Sequence, residues 1–468
     1  MNYGIIEVQH KYDKTSPKSI ESYAKKLLGM SFRDIIEADN DSNASENKSN
    51  KGNLGQIIER NFFHYECNNL SEPDFAEAGV ELKVSPYKIN KKGELTAKER
   101  LILTMIDYYK VINEKSLEDS HLWYKCKLML LIYYLYNEEI QYRLDYRIDF
   151  AKLFTPPEND LKIIRNDYDI IVSKVRAGLA HELSEADTMY LGACTKAAKG
   201  TDRTGQPNSE VLAKPRAFSF KNSYMTFVLN NYIKANVDTY EPILKDNTDE
   251  TFEEYVTRKI SSYQGYSIEQ LCGIFNIDSA AITSNKGIVP AITYKILGIN
   301  GNKAEEFEKA GIVIKTIRIS DDTIRESMSF PTFKFKELIK EEWDDSTFGN
   351  YLRETKFLFV VFKFGKDKSL YLQGCQFWNI PYADLETDVR LVWERTKQTI
   401  IDGIEVREVN GRNINNLPKM TENRVSHVRP HARNKDDTYE LPDGRQFPKQ
   451  CFWLNAKYIY SQLEDRLK

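Results

Sequence analysis

Residues 73–84 read Pro73-Asp74-Phe75-Ala76-Glu77-Ala78-Gly79-Val80-Glu81-Leu82-Lys83-Val84. From Val80 onward apolar and polar side chains alternate, the period of a strand with one buried face. Glu81 and Lys83 then share one side, while Val80, Leu82 and Val84 pack on the other. Gly79 permits a tight turn before the strand, which can fold Asp74 back beside Glu81. Two carboxylates converging with a lysine suit a hard divalent cation such as Mg2+, bound through oxygen and able to neutralise charge on a phosphate under attack. The lysine can orient the attacking water or lower its pKa. A D-x6-E-x-K string is common by chance, so its neighbours decide how it is read.

Upstream, Glu59 lies on a helix expected to begin near Leu54, at the edge of the apolar stripe Leu54, Ile57, Ile58 and Phe62, where it could reach the same cation. Downstream, Ser120-His121-Leu122-Trp123-Tyr124-Lys125-Cys126-Lys127 leads into an apolar run over 128–136 that predicts a buried strand. Lys125 and Lys127, two apart, are expected to face one phosphate together.

The whole chain has 468 residues, of which 41% are hydrophobic and 12% aromatic, enough to build two or three full cores. Lys and Arg number 66 against 69 Asp and Glu, a net charge of −3, so any nucleic-acid contact must rest on local basic patches. The longest apolar run is under half of a membrane span, and no apolar signal core follows Met1. Six cysteines no closer than 59 positions offer neither a metal knuckle nor a disulfide framework, which points to a reducing cytoplasm. GxSxG, HExxH and GxxxxGK[ST] are all missing, and His64, His121 and His181 read as structural or ligand-facing rather than as members of a triad. Polar stretches at 38–53 and 199–208 predict loops, and 235–250 predicts a linker near mid-chain.

Similar strings recur on either side of that linker in one order. Gly29-Met30-Ser31-Phe32 answers Gly265-Tyr266-Ser267-Ile268 at an offset of 236, and Lys51-Gly52 answers Lys286-Gly287 at 235. Phe75 to Lys83 answers Phe307 to Lys315 at 232, and Lys127 answers Lys356 at 229. Four matches at a nearly constant offset argue for two copies of one fold, each a mixed sheet with flanking helices.

In their order, GNLGQIIE, SEPDFAEAGVELK and SHLWYKCK resemble the mismatch-repair nicking endonuclease MutH and its relatives, among them duplicated type II restriction endonucleases that cut at GATC. Later strings resemble the duplicated enzymes more than MutH itself: HELSE at His181, Tyr190-Leu191 with Cys194-Thr195-Lys196, Arg216-Ala217-Phe218-Ser219, and His427-Val428-Arg429-Pro430-His431. The resemblance implies tandem PD-(D/E)xK nuclease folds of the α/β class. It implies Asp74 and Glu81 as metal ligands, Lys83 as catalytic lysine, Glu59 as auxiliary acid and Lys125 as a second active-site lysine.

The second copy serves as an internal control. Sequence matching puts Val313 in place of Glu81, Glu306 of Asp74, Tyr294 of Glu59 and Glu354 of Lys125, and only Lys83 persists, as Lys315. A site so depleted cannot hold Mg2+ through near-octahedral oxygen. DNA contact is expected to survive, because residues 411–435 carry six Lys or Arg against Glu422 alone, and 190–222 carry six against Asp202 and Glu210. By resemblance, Thr195 and Lys196 in one copy and Arg429 and His431 in the other occupy the base-reading loop. The family's Arg-Pro pair stands at Arg429-Pro430 but is Cys194-Thr195 in the catalytic copy. Arg216 and Lys221 are expected to hold phosphates.

The resulting expectation is a bacterial type II restriction endonuclease, Mg2+-dependent, that cuts both strands of DNA before the G of GATC. Residues 1–234 would form the catalytic domain and 251–468 a DNA-binding effector domain. The chain would be a monomer when free and a dimer on DNA, with a companion methyltransferase and no membrane association. A strand-nicking repair enzyme and a non-catalytic DNA-binding protein are the alternatives.

Overall fold

The first unit carries strands β1 (Glu81–Ile89), β2 (Leu95–Ala97), β3 (Leu101–Met105), β4 (Met129–Leu135), β5 (Ile148–Phe154), β6 (Leu191–Thr195), β7 (Thr204–Gln206), β8 (Ser209–Ala213) and β9 (Arg216–Phe220). These ranges come from a computed structural model that describes residues 12–38, 53–65, 72–197, 199, 201–234, 250–277, 285–301, 303–409, 412–434 and 436–468. The loop expected at 38–53 and the linker expected at 235–250 fall almost wholly outside the described residues. Clustering divides the chain into one unit of Met1–His181, Thr188–Thr239 and Glu308–Ala310, and a second of Glu182–Asp187, Tyr240–Phe307 and Gly311–Lys468.

The alternating stretch and the apolar run become neighbours in the first unit. β1 and β4 pair in parallel, Glu81 opposite Met129 and Lys83 opposite Leu131, inside a sheet of order β2-β1-β4-β5. A parallel pair is covered on both faces. Accordingly Met129, Leu130, Leu131, Ile132 and Tyr133 are fully buried. One face packs against Ile20, Leu27, Phe32, Leu54, Ile58 and Phe63 with Val80 and Leu82. A second sheet, order β3-β9-β6, is antiparallel throughout.

The second unit carries β10 (Val313–Ser320), β11 (Thr323–Ile324), β12 (Met328–Phe333), β13 (Phe357–Phe364), β14 (Leu370–Trp378), β15 (Val406–Val409), β16 (Arg412–Asn415), β17 (Ser426–Pro430), β18 (Thr438–Glu440), β19 (Gln446–Pro448) and β20 (Gln450–Leu454). Its sheets run β11-β10-β13-β14 and β12-β20-β17, the same orders position for position, with β10 and β13 parallel. The β15–β16 pair is an addition.

The duplication extends to single hydrogen bonds. Gly29 N donates to Ile148 O and Gly265 N to Leu372 O, both at 2.8 Å, and the two glycines share φ near +84° (83° and 84°). Val80 N donates to Phe75 O as Ile312 N does to Phe307 O, with Gly79 and Gly311 at φ 64° and 65° in the two turns. An added β-carbon would be strained at such angles, so these glycines are demanded by the backbone.

The register also corrects the sequence matching. Glu81 N donates to Leu128 O and Val313 N to Lys356 O, so Lys356 answers Leu128 rather than Lys127. Counting back, the counterpart of Lys125 is Arg353, not Glu354. The loop expected at 199–208 in fact enters a hairpin, β7–β8, with Asn208 at φ 59° in its turn. Asn tolerates that left-handed conformation better than most residues.

Candidate active site

Three elements deliver the charged side chains. Strand β1 supplies Glu81 and Lys83, and the turn before it supplies Asp74, whose Oδ2 accepts the Leu82 amide at 2.8 Å. Lys83 Nζ donates to Glu81 Oε1 at 2.9 Å and to the Leu103 carbonyl at 3.1 Å. Lys125 sits on helix α1 (His121–Cys126), capped at its start by the Ser120 hydroxyl, and its Nζ lies 3.6 Å from Glu81 Oε1. Lys127 is the C-cap of that helix and exposed. Residues two apart on a helix diverge, so Lys125 alone reaches the site and the expectation of a shared face fails.

Glu59 lies on the π-helical turn Ile58–Phe62 that extends the helix Asn53–Ile57. Its Oε1 and the Val84 side chain lie 3.9 and 4.0 Å from where a β-carbon on Gly55 would stand. Its field reaches Asp74, and π-turns are frequent at functional sites. Among the described residues no three His, Cys, Asp or Glu side chains form a closed metal cage. Mg2+ does not require one, since it usually keeps several waters on one or two carboxylates.

The electrostatics mark a site lacking a counter-charge. Burial, the Glu81 carboxylate and, more weakly, Glu59 push the Asp74 pKa from 3.8 to about 7, against the opposing pull of the Leu82 amide and Lys83. Burial, the largest single influence, pulls the Lys83 ammonium down, but Glu81, Cys126 and Asp74 together outweigh it and the pKa stands above the ordinary lysine value. Glu81 is 3% exposed, and its Oε2 is buried with no hydrogen-bond partner. Such an atom is costly unless something binds it. A divalent cation satisfies Oε2 and relieves the Asp74–Glu81 repulsion together, so the donor set fits Mg2+.

A pH dependence follows. Asp74 must lose its proton to bind a cation, so affinity for Ca2+, a non-hydrolysing probe, should rise about tenfold per pH unit below pH 7 and level off above it. Titration calorimetry at pH 6 and pH 8 measures this; equal affinities would refute it. Without cation, the raised pKa stabilises the fold fully below about pH 4, and that contribution is lost as pH rises through about 7.

The second unit keeps the frame and an acid, Glu306, at the Asp74 position, but loses the one at the Glu81 position. Val313 holds the Glu81 register position, and the Lys315 pKa is lowered by burial. Arg353, the counterpart of Lys125, instead bonds Glu386 Oε1 and the Trp343 carbonyl.

The residues expected to touch DNA divide. Thr195, Lys196, Arg429 and His431 are exposed at the ends of β6 and β17. Lys196 N donates to Pro215 O and His431 N to Lys449 O, both at 2.9 Å, so the two loops are structural equivalents and Cys194-Thr195 does stand where Arg429-Pro430 does. The Arg429 guanidinium lies over Trp453, its central carbon 3.7 Å from the ring centre. Arg216 and Lys221 do not fit their expected role. They are 4% and 3% exposed, with Arg216 Nη1 on Ala193 O at 2.6 Å and Lys221 Nζ on Thr188 O at 2.5 Å. Both are captured by backbone carbonyls at the β3-β9-β6 sheet, which leaves neither ammonium nor guanidinium presented to a phosphate. The basic zone at 411–435 is also partly neutralised, since Arg424 pairs with Asp384 and Asp388 and Arg433 with Asp437.

Asp167, which the sequence reading does not single out, is a further brace. Buried on helix α2 (Glu158–Arg176), it accepts the amides of Met189, Tyr190 and Leu191 at 2.7, 2.7 and 2.9 Å and so fixes the start of β6. A polar residue inside the apolar stripe of Leu161, Ile164, Ile171 and Val175 was its available signal. Asn423 does the same for Val425 and Ser426 in the second unit.

The family model described as DNA mismatch repair enzyme MutH matches residues 63–167. The type II restriction enzyme Sau3AI of Staphylococcus aureus is 34% identical over 96% of this chain and 99% of its own length. The chain belongs to the Sau3AI family of MutH-related type II restriction endonucleases. MutH of Shewanella woodyi is 25% identical over 46% of this chain and 93% of its own length, and MutH of Vibrio campbellii 23% over 48% and 98%. A single MutH is therefore about half of this chain, as a duplicated fold requires. As a member of that family the chain is a site-specific deoxyribonuclease, built on a duplicated MutH-like fold. No described helix is long and apolar enough to cross a membrane.

Proposed function

We propose that this enzyme cuts both strands of DNA at GATC, before the G, with Mg2+ as cofactor and 5′-phosphate, four-base overhangs as product. The observation that carries the reading is the half-buried cluster of Asp74, Glu81, Lys83 and Lys125 in the first unit, set against a second unit with valine at the Glu81 position. Asp74 and Glu81 would hold the cation, Glu81 through the unpartnered Oε2. Bound there, Mg2+ supplies Lewis-acid stabilisation of charge developing on the phosphate. Lys83 Nζ, fixed between Glu81 Oε1 and the Leu103 carbonyl, orients the attacking water and favours its deprotonated form. Lys125 meets the scissile phosphate as a cation, and Glu59 adds negative field behind Asp74.

Residues 1–234 are assigned to catalysis, 235–250 to a linker and 251–468 to DNA binding as an effector. Lys196 and Thr195 would read bases in the first copy, and Arg429 and His431 in the second. An exposed arginine held over an indole is well presented to fork onto guanine in the major groove. One catalytic centre per chain cannot cut both strands of a palindrome at once, so two monomers are expected to assemble on DNA. A companion methyltransferase and a bacterial cytoplasmic setting complete the reading.

Plasmids with one and two GATC sites test it, each with Mg2+ and with EDTA. Linear product in Mg2+ alone, formed faster from the two-site plasmid, is the expected result. Persistent nicked circles would favour the strand-nicking alternative, and binding without cleavage the non-catalytic one.

A further inference from the structure

Lys83 is anchored by a main-chain atom from outside its own sheet. Its Nζ donates to the Leu103 carbonyl at 3.1 Å, and Leu103 is the residue skipped by the β3–β9 ladder between Ile102 and Thr104. A bulge leaves its extra residue unpaired and disrupts the ladder locally, so this carbonyl can accept an ammonium in place of a β9 amide. β3 belongs to the sheet whose last strand, β6, ends at Thr195 and leads into Lys196.

Backbone hydrogen bonds run unbroken from that end to the bulge. Lys196 N donates to Pro215 O at 2.9 Å, and Thr195 pairs with Arg216. Arg216 O accepts from Ile106 N at 2.8 Å, and the buried Tyr108 hydroxyl donates to Lys214 O at 2.7 Å. Ile106 is three residues beyond Leu103. The degenerate copy differs at this point. Its bulge lies between Ser329 and Thr332, and Lys315 Nζ stands 5.9 Å from the centre of the Phe330 ring. Among the described residues the Lys315 ammonium donates no hydrogen bond. The carbonyl-to-ammonium contact therefore occurs in the copy that retains its acids.

We propose that the bulged β3, through Leu103, Ile106 and Tyr108, couples base reading to cutting: a displacement at Lys196 moves the Leu103 carbonyl and so sets the position of Lys83 Nζ. This rests on the assignment of Lys83 to catalysis and of the β6 end to base reading. The three are positioning residues, since none lies at the reacting atoms. A correct base pair draws on Lys196 and seats the ammonium, and a wrong one leaves it unseated. Discrimination then enters the cutting rate as well as the binding constant.

Tyr108→Phe in the full chain removes the hydroxyl bond to Lys214 and keeps the ring. Affinity for a GATC duplex should stay within about threefold, while the single-turnover cutting rate falls about tenfold and cutting at a one-mismatch site is unchanged, so the preference shrinks about tenfold. Equal slowing at both sites, or an unaltered preference, would overturn the coupling. Hydrogen exchange on the wild-type chain gives a readout independent of any variant. The Ile106 amide should gain protection on GATC duplex and not on mismatched duplex; equal protection would overturn the proposal. If Lys83→Ala cuts DNA at the wild-type rate, the active-site assignment itself fails. If Lys83 is essential and the preference holds, only the coupling does.

Discussion

Asp74→Asn should lower cleavage by roughly 10³-fold, the scale set by several kcal/mol of metal-assisted transition-state stabilisation, while making the cation-free protein more stable above pH 7. The two effects share one cause. The Asp74 carboxyl is desolvated beside Glu81 and titrates near pH 7, so ionising it strains the site whenever no cation is bound. Asparagine keeps an acceptor for the Leu82 amide and removes the charge. Each kcal/mol relieved raises Tm by about 2–4 °C for a unit of this size. Single-turnover cleavage and a thermal melt in EDTA at pH 8 measure the pair. Cleavage at the wild-type rate would remove the metal site from the account.

The second large effect is a contrast between equivalent positions. Lys83→Ala should cost about 10²–10³ in rate, the ordinary range for losing a group that handles protons at a reacting centre. Lys315→Ala, at the same register of the second unit, should leave cleavage within about twofold. Lys83 contacts a carboxylate and a carbonyl, whereas Lys315 faces an aromatic ring at 5.9 Å. Comparable losses from both would mean that the second unit cuts DNA after all.

Much of this architecture was legible in the letters, for reasons the structure makes plain. Alternation from Val80 onward could satisfy only a half-buried strand, and the turn glycines 79 and 311 recur because backbone angles near +64° require them. The failures are equally physical. Arg216 and Lys221 carry the charge of phosphate ligands, and nothing local reveals that backbone carbonyls capture them inside a sheet. Lys125 and Lys127 looked like strand neighbours because the Ser120 cap, which starts a short helix, was overlooked. Asp167 was passed over because its three partners lie more than twenty positions away. The single-position slip to Glu354 shows how far string matching drifts where two helices differ in length, and strand register corrects it.

Lys315 also bears on ancestry. A sequestered ammonium with no acid beside it burdens a fold and has no evident reason to be invented. It stands at the matching register of a matching strand, after the same tight turn. It reads as a relic: the gene doubled while both halves could still hydrolyse DNA, and one half later lost the acid of its strand while its lysine stayed behind.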